Sequence, residues 1–529
     1  MTLHGKSIIA GQPGTSTGKM FNAVNPATGA DLEPTFHEAT ALEAARALDA
    51  AAATFADYRS RPAEERARFL ETIAAEIEAL GDTLIERTSA ETGLPAARIS
   101  GERGRTCGQL RLFAATVLEG SWVDARIDTA LPDRQPAPRP DIRRMLRPIG
   151  PVVVFGASNF PLAFSTAGGD TASAFAAGCT VVVKAHPAHP GSGELVAGAI
   201  ARAADRCGLP PGVFSFVHGG PAIGIALVEH PATAAVGFTG SHRAGRALFD
   251  AANARSRPIP VFAEMSSVNP VFVLPGALRE RSGEIARGLL GSVTLGVGQF
   301  CTKPGLVFVV RGSDTAAFIE KLAGAVRQAA SGTMLTADIL DTFARSRDAL
   351  TAIDGVSEIA AAPATPTDAA TQAWPSLAST DAKHFLAHPE AATEAFGPFA
   401  LVITADDIDE VIACANALQG QLTATLHGTD ADIASAGKLI EAAESVAGRL
   451  IVNGFPTGVE VSPAMNHGGP YPATTDVRFT SVGSAAILRF ARPVCYQGFA
   501  EPQLPAELRN ANASEILRTV NGVLTRNAV

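Results

Sequence analysis

The sequence predicts an α/β protein built on parallel sheets. Between residues 147 and 266, five short β-branched runs alternate with helix-patterned stretches, the mark of successive βαβ units. Residues 267–476 repeat the theme less cleanly, with apolar runs near 270–274, 305–310, 399–403, 421–426 and 449–453. The composition, 47% hydrophobic and 18% charged, excludes disorder, and 529 residues leave room for two or three domains.

The elements follow in order. Residues 1–36 are polar and Gly-rich and are expected to be extended. Residues 37–120 carry helical Ala/Glu/Leu spacing, renewed over 66–80. The stretch 127–146 includes DTALPDRQPAPRPDIRR, whose four prolines exclude a helix interior and predict a linker or edge ribbon. The five strands are read at 151–155, 180–184, 213–217, 234–238 and 259–263. Helices are expected from Pro161, over 192–206, near 221–229 and over 243–254. Ligands of such sheets bind at the carboxyl ends of the strands. That singles out 156–161, 184–190, 218–220, 239–245 and 264–267. Residues 355–372, rich in Ala, Pro and Thr, are expected to form a surface loop.

Charge and cysteine usage narrow the classes. The 43 Lys+Arg against 52 Asp+Glu give a net charge of -9, which argues against nucleic-acid binding. No run approaches the roughly 18 apolar residues of a membrane span, so no membrane association is expected. The start, MTLHGKSIIAGQPG, has no signal-peptide core. Cys107, Cys179, Cys207, Cys301, Cys414 and Cys495 are scattered and form no CxxC. That predicts a reduced, cytoplasmic setting without a metal site. Five of the six read as buried packing. Cys301 differs, because GQFCTKPG is polar and Gly-rich and precedes a strand.

Four further positions can carry chemistry. Asn159, in FGASNFP, sits between a strand end and the expected helix at Pro161, where an amide can donate to an oxyanion or simply cap a turn. Glu264 follows an apolar strand, so partial burial is expected to raise its pKa toward general-base range, a surface salt bridge being the alternative. FTGSHRAG, with Gly240 and Ser241, is a strand–glycine–helix turn suited to a phosphate. Lys184 ends the second strand, within reach of a ribose or phosphate.

Jointly, Asn159, Lys184, Thr239-Gly-Ser, Glu264 and Cys301 stand in the order, and near the spacing, of the aldehyde dehydrogenase superfamily. The chain resembles that family over nearly its whole length. FNAVNPATG, EAFGP (394–398), Asn453 and HGG (467–469) are similar to its other motifs. GASNFPLAFS, KAHPAHPG and FAEMSSVNPVF resemble the branch acting on 2,5-dioxopentanoate (α-ketoglutaric semialdehyde); NADP-linked fatty aldehyde dehydrogenases share much of this pattern.

The resemblance implies a Rossmann-like cofactor domain (1–128 and 147–266) and an α/β catalytic domain (267–476). It also implies a small oligomerisation β-flap (129–146 and 477–500), with 501–529 as a C-terminal tail. It implies Cys301 as nucleophile, Asn159 as oxyanion donor and Glu264 as the base that activates water. Lys184, Glu394, Ser241, Gly240, Phe396, Ser158 and His186 would contact the cofactor. Phe160, Phe164, Ala167, Phe300, His467 and Arg105 would contact the substrate, Arg105 holding a carboxylate, with Arg103 and Arg111 as fallbacks. The stripe Phe160, Ala163, Phe164, Ala167 is expected on one face of the helix from Pro161. Many NAD-specific members carry Glu where Pro187 stands, so NADP is the expected cofactor with NAD tolerated, and His186 and His189 are candidates to favour its 2′-phosphate. Thr302-Lys-Pro places the charge of Lys303 close to the nucleophile, pointing outward being the alternative. A homodimer or homotetramer is implied. A thiol hydrolase would need a histidine beside Cys301, for which the sequence offers no motif. A CoA-acylating enzyme would not need Glu264, and a non-catalytic binding protein would not need the Cys/Asn/Glu set.

Overall fold

The computed structural model describes residues 3–364 and 370–529. Strands Val152–Phe155, Val181–Lys184, Phe214–Val217, Ala235–Thr239 and Val261–Glu264 form a parallel sheet in the order fifth, fourth, first, second, third. An antiparallel pair, Ile8–Ile9 and Gln12–Pro13, extends it beside the third strand. The strands are covered on both faces, which is why they read as unbroken Val/Phe runs rather than alternating ones. Strand order reverses between the first and fourth strands, and a ligand crevice opens at such a point. Register sets Phe155 beside Lys184 and Phe238, and Thr239 beside Glu264, so the following loops leave from one rim.

The region 37–120 is four helices, Ala41–Tyr58, Ala63–Glu78, Gly81–Thr92 and Ala96–Glu119. Thr40 and Glu43 close a capping box at the first, and left-handed Gly93 and Gly120 end the last two. Helices Pro190–Arg206 and Pro221–Glu229 open on proline, and Ser241 caps His242–Ala254 through the Ala244 N–H.

The helix expected from Pro161 is absent. Residues 161–168 are turns, and the helix is Gly169–Ala177. The N–H groups of Leu162 and Ala163 donate to the buried Glu102 carboxylate, at 2.9 and 3.0 Å. Gly168 lets the chain fold back so tightly that a Cβ there would lie 2.5 Å from the Ala163 carbonyl oxygen. The apolar stripe is therefore not a helix face, and Ala167 is buried in the core cluster of the first sheet.

The second sheet runs Ser357–Ala361, Ser376–Asp381, Phe399–Ala405, Leu306–Val310, Val271–Val273, Gln421–His427, Ala447–Val452. It is parallel except for its first strand. That strand falls inside the expected loop 355–372, of which 365–369 lie outside the described residues. A third sheet joins Ala491–Gln497, Ile142–Pro148, Arg126–Asp128, Arg518–Val520 and Val523–Thr525. The Pro-rich run loops out between two of these strands, held by one bridge, Leu131 to Arg139. Residues 484–490 form a 3-10 turn, outside this sheet. Two of its strands come from the stretch read as a tail. Four of the five cysteines read as packing are buried, whereas Cys495 is exposed on an outermost strand. No helix among the described residues is long and apolar enough to cross a membrane.

Candidate active site

Glu264 is the last residue of its strand, so the sheet itself carries its carboxylate to the rim. Segment 473–475 runs antiparallel beside it, with Met265 N–H donating to Ala473 at 2.8 Å and Thr475 N–H to Ala263 at 3.1 Å. This pairing draws His467 and Ser481 onto Glu264. The carboxylate is 3% exposed, and a different side chain faces each oxygen. Ser481 Oγ donates to Oε2 at 2.6 Å, and His467 Nε2 lies 2.9 Å from Oε1. Burial pushes the Glu264 pKa up, as the sequence led one to expect. His467, Ser481 and Cys301 outweigh burial and hold it below the ordinary carboxylate range. That is a correction to the sequence reading.

Cys301 lies in the loop before Leu306–Val310. The Asn269 amide pins this loop, donating to the Cys301 carbonyl at 2.8 Å and the Lys303 carbonyl at 3.0 Å. Asn269 is fully buried, with a φ of 48°, and its Oδ1 accepts from the Ser267 and Thr423 hydroxyls. Gly298 has a φ of +69°, and a Cβ there would lie 2.2 Å from the Gly397 carbonyl carbon. The glycine before the cysteine is thus required by a close backbone approach to the glycine of EAFGP, where a Cβ would itself strike the Phe343 ring at 2.3 Å.

Cys301 Sγ lies 3.5 Å from His467 Nε2. The Cys301 sulfur, a His467 ring nitrogen and a Glu264 oxygen all fall within 4.8 Å of one another. Burial, and then the Glu264 charge, push the thiol well above its ordinary pKa, so the resting group is a thiol that needs a base. The His467 ring stands beside it, through the same Nε2 that faces Glu264. The sequence reading put it among substrate contacts and found no histidine for Cys301; the fold brings the two together across 166 positions.

Asn159 Nδ2 donates to the Gln299 carbonyl at 2.9 Å, which sets the amide beside the nucleophile loop with one hydrogen still available. Phe160 packs against Phe164 and Phe300, with centroids 5.3 and 5.1 Å apart, and Phe164 reaches the His467 ring at 6.2 Å. Arg105 stands over Phe164 at 5.1 Å and feels the charges of Cys301 and Glu264. The fallback arginines do not belong here: Arg103 donates to the Gly81 carbonyl, and Arg111 pairs with Glu78 at the surface.

Lys303 does not point outward. It is 2% exposed and donates to the Ala395 and Phe399 carbonyls at 3.0 and 2.9 Å. Loss of water pushes its ammonium down to about 8 and the neighbouring Glu394 carboxyl up to about 7, each offset by the other's charge. Glu394 also bonds to Ser266, which follows Glu264 by two residues. Phe396 is half-buried in the same stretch.

The positions expected to hold a dinucleotide line the rim of the first sheet. Burial pushes the Lys184 ammonium down to about 8, with the Glu38 charge offsetting part of it. Gly240 is exposed, its N–H donates to the Glu264 carbonyl at 3.0 Å, and a Cβ there would strike the Phe238 ring at 2.7 Å. Ser241 opens a 13-residue helix whose first N–H groups suit a phosphate. Ser158 is half-buried just past the first strand. His186 stacks on His189 at 5.2 Å, and its Nδ1 accepts from the Ala188 N–H at 3.1 Å. Burial pushes its pKa well down, so it is a neutral donor through Nε2 rather than a positive charge. A desolvated ammonium at the end of the second strand and an open helix start after the fourth, on either side of the first strand, fit a nicotinamide dinucleotide.

Residues 13–471 match the model of the aldehyde dehydrogenase family. The chain is 51% identical to alpha-ketoglutaric semialdehyde dehydrogenase 2 of Azospirillum brasilense over 99% of both chains. It is 46% identical to alpha-ketoglutaric semialdehyde dehydrogenase of Acinetobacter baylyi, again over 99% of both. Betaine aldehyde dehydrogenase of Staphylococcus aureus, solved with NAD+, shares the fold with a TM-score of 0.81 at 18% identity, over 96% of this chain and 99% of that one. The chain belongs to the aldehyde dehydrogenase family, and it is an enzyme that acts on aldehydes with an NAD(P) cofactor.

Proposed function

We propose that the chain oxidises 2,5-dioxopentanoate to 2-oxoglutarate through a thioester on Cys301. The contact of Cys301 with His467, and of His467 with Glu264, carries the chemical reading. The substrate reading is supported by the two semialdehyde dehydrogenases that resemble the chain end to end.

In this mechanism the Cys301 sulfur attacks the aldehyde carbon while its proton passes to the His467–Glu264 pair. The resulting oxyanion receives hydrogen bonds from the Asn159 amide and the Cys301 N–H. When bound, the nicotinamide supplies the hydride acceptor. Glu264, held by Ser481 and His467, then removes a proton from the water that attacks the thioester. The C–S bond breaks, the acid leaves and the sulfur regains its proton.

Lys184 and Glu394 hold ribose hydroxyls, Gly240 and Ser241 take the pyrophosphate, and Ser158 and Phe396 flank the nicotinamide. NADP is preferred, because Pro187 removes the carboxylate that would repel a 2′-phosphate and His186 offers a neutral N–H. The first sheet with its helices forms the cofactor domain and the second sheet the catalytic domain. The third sheet is a flap that pairs subunits into a dimer or tetramer in the cytoplasm, its outermost strand Ala491–Gln497 offering the open edge.

The cluster of Phe160, Phe164 and Phe300 favours one second reading, a fatty aldehyde dehydrogenase. Comparing kcat/KM for 2,5-dioxopentanoate, hexanal and a long-chain aldehyde separates the two. A preference for the long chain would replace the semialdehyde reading.

A further inference from the structure

Lysine is almost never fully buried without a partner, because withdrawing an ammonium from water is costly. Lys303 is nevertheless buried two positions after the nucleophile. Its Nζ donates to the Ala395 and Phe399 carbonyls, at 3.0 and 2.9 Å. Two neutral acceptors satisfy two of its three donors and none of its charge. The charge that acts on it is that of Glu394, the residue before Ala395. An uncharged donor would serve the two carbonyls as well, so the choice of lysine points to Glu394.

The nucleophile loop meets the same segment at a second point. Gly298, three residues before Cys301, lies so close to Gly397 that a Cβ would stand 2.2 Å from its carbonyl carbon. The Asn269 amide ties the Cys301 and Lys303 carbonyls together, so the loop holds as one body. On its other side Glu394 accepts from the Ser266 hydroxyl and the Ser267 N–H. Ser266 Oγ in turn accepts from the His242 N–H at 3.3 Å, at the start of the helix capped by Ser241. Glu394 thus stands between the loop that carries the sulfur and the helix start that suits a phosphate.

We propose that Lys303 is a positioning residue for Glu394: its carbonyl bonds fix segment 394–399 against the nucleophile loop, and its charge readies the carboxylate for the cofactor ribose. The inference rests on the reading of Glu394 as a ribose ligand and adds Lys303 to it. An ionised carboxylate accepts from two ribose hydroxyls, and a protonated one loses part of that capacity. Glu394 is faced by the Lys303 ammonium and the Cys301 thiol from the loop, and by Ser266 and Ser267 from beyond the fifth strand. Burial pushes its carboxyl up to about 7 against the pull of Lys303, so without the ammonium it rises further. A rise of about one pKa unit cuts the ionised fraction at pH 7 from about one half to about one tenth. Glu394 binds ribose ionised, so affinity fails as pH falls through its pKa, and that failure should set in at higher pH once Lys303 is gone.

The test is calorimetric binding of NADP to the full chain between about pH 6.5 and pH 9. In Lys303→Met and Lys303→Gln the Kd at pH 7 should rise roughly fivefold over the wild type, and the gap should close by about pH 9, where Glu394 ionises unaided. Lys303→Gln keeps two donors for the carbonyls and removes only the charge, which separates the charge from the clip and serves if the methionine variant fails to fold. On a Glu394→Gln background, Lys303→Met should add little, because it acts through that carboxylate. Wild-type affinity in Lys303→Gln at pH 7 would make Lys303 a clip for two carbonyls and overturn the proposal. A deficit that stays constant from pH 7 to pH 9 would overturn it as well. If Glu394→Gln alone binds NADP as tightly as the wild type, the ribose reading of Glu394 falls, whatever the Lys303 variants do.

Discussion

Replacing His467 with alanine should move the acid limb of the reaction upward in pH. Glu264 is 3% exposed, and burial alone favours its protonated form. His467 at 2.9 Å and Ser481 at 2.6 Å reverse that preference. Losing a charge-assisted hydrogen bond costs about 1.5–3 kcal/mol. At 1.36 kcal/mol per pKa unit, the Glu264 pKa should rise by roughly 1–2 units. The sign follows from the role of the group. Glu264 acts deprotonated and its native pKa is depressed, so deacylation holds above that pKa and fails as pH falls through it. In His467→Ala the failure should set in roughly 1–2 units higher. Single-turnover deacylation rates, from acid to mildly alkaline pH, read this directly. Ser481→Ala should shift the limb in the same direction. A His467→Ala limb superimposable on the wild type would refute the link between this ring and the carboxylate.

Cys301→Ala should abolish oxidation while nicotinamide cofactor binding, followed by fluorescence, persists; substantial remaining turnover would remove Cys301 as the nucleophile. Steady-state kcat/KM with each cofactor at fixed aldehyde should favour NADP, and a tenfold preference for NAD would contradict the part given to Pro187.

Much of this arrangement is legible in the residues. The five strands of the first sheet are read within a residue or two, because parallel strands covered on both faces must be unbroken apolar runs. Asn159, Glu264 and Cys301 stand out because each follows or precedes such a run. What escapes is long-range or locally overridden. The stretch after Pro161 has helical spacing, but Glu102, some 60 positions earlier, captures its N–H groups. The strand Ser376–Asp381, SLASTD, is small and polar, and only its place between two neighbours makes it a strand. Lys303 reads as easily as a surface cation, because nothing in GQFCTKPG announces that two carbonyls and Glu394 await its ammonium. The HGG motif marks His467, but not that segment 473–475 will pair beside Glu264 and deliver the ring to the sulfur.

The central claim is that the aldehyde carbon becomes bonded to Cys301 and that Glu264 releases it. The most direct measurement is intact-protein mass spectrometry of Glu264→Gln after mixing with NADP and 2,5-dioxopentanoate, alongside the stopped-flow burst of reduced cofactor. A burst of about one reduced cofactor per active site is expected, with little further turnover and an acyl adduct that peptide mapping assigns to Cys301. Turnover at the wild-type rate with no adduct, or an adduct on another residue, would contradict it.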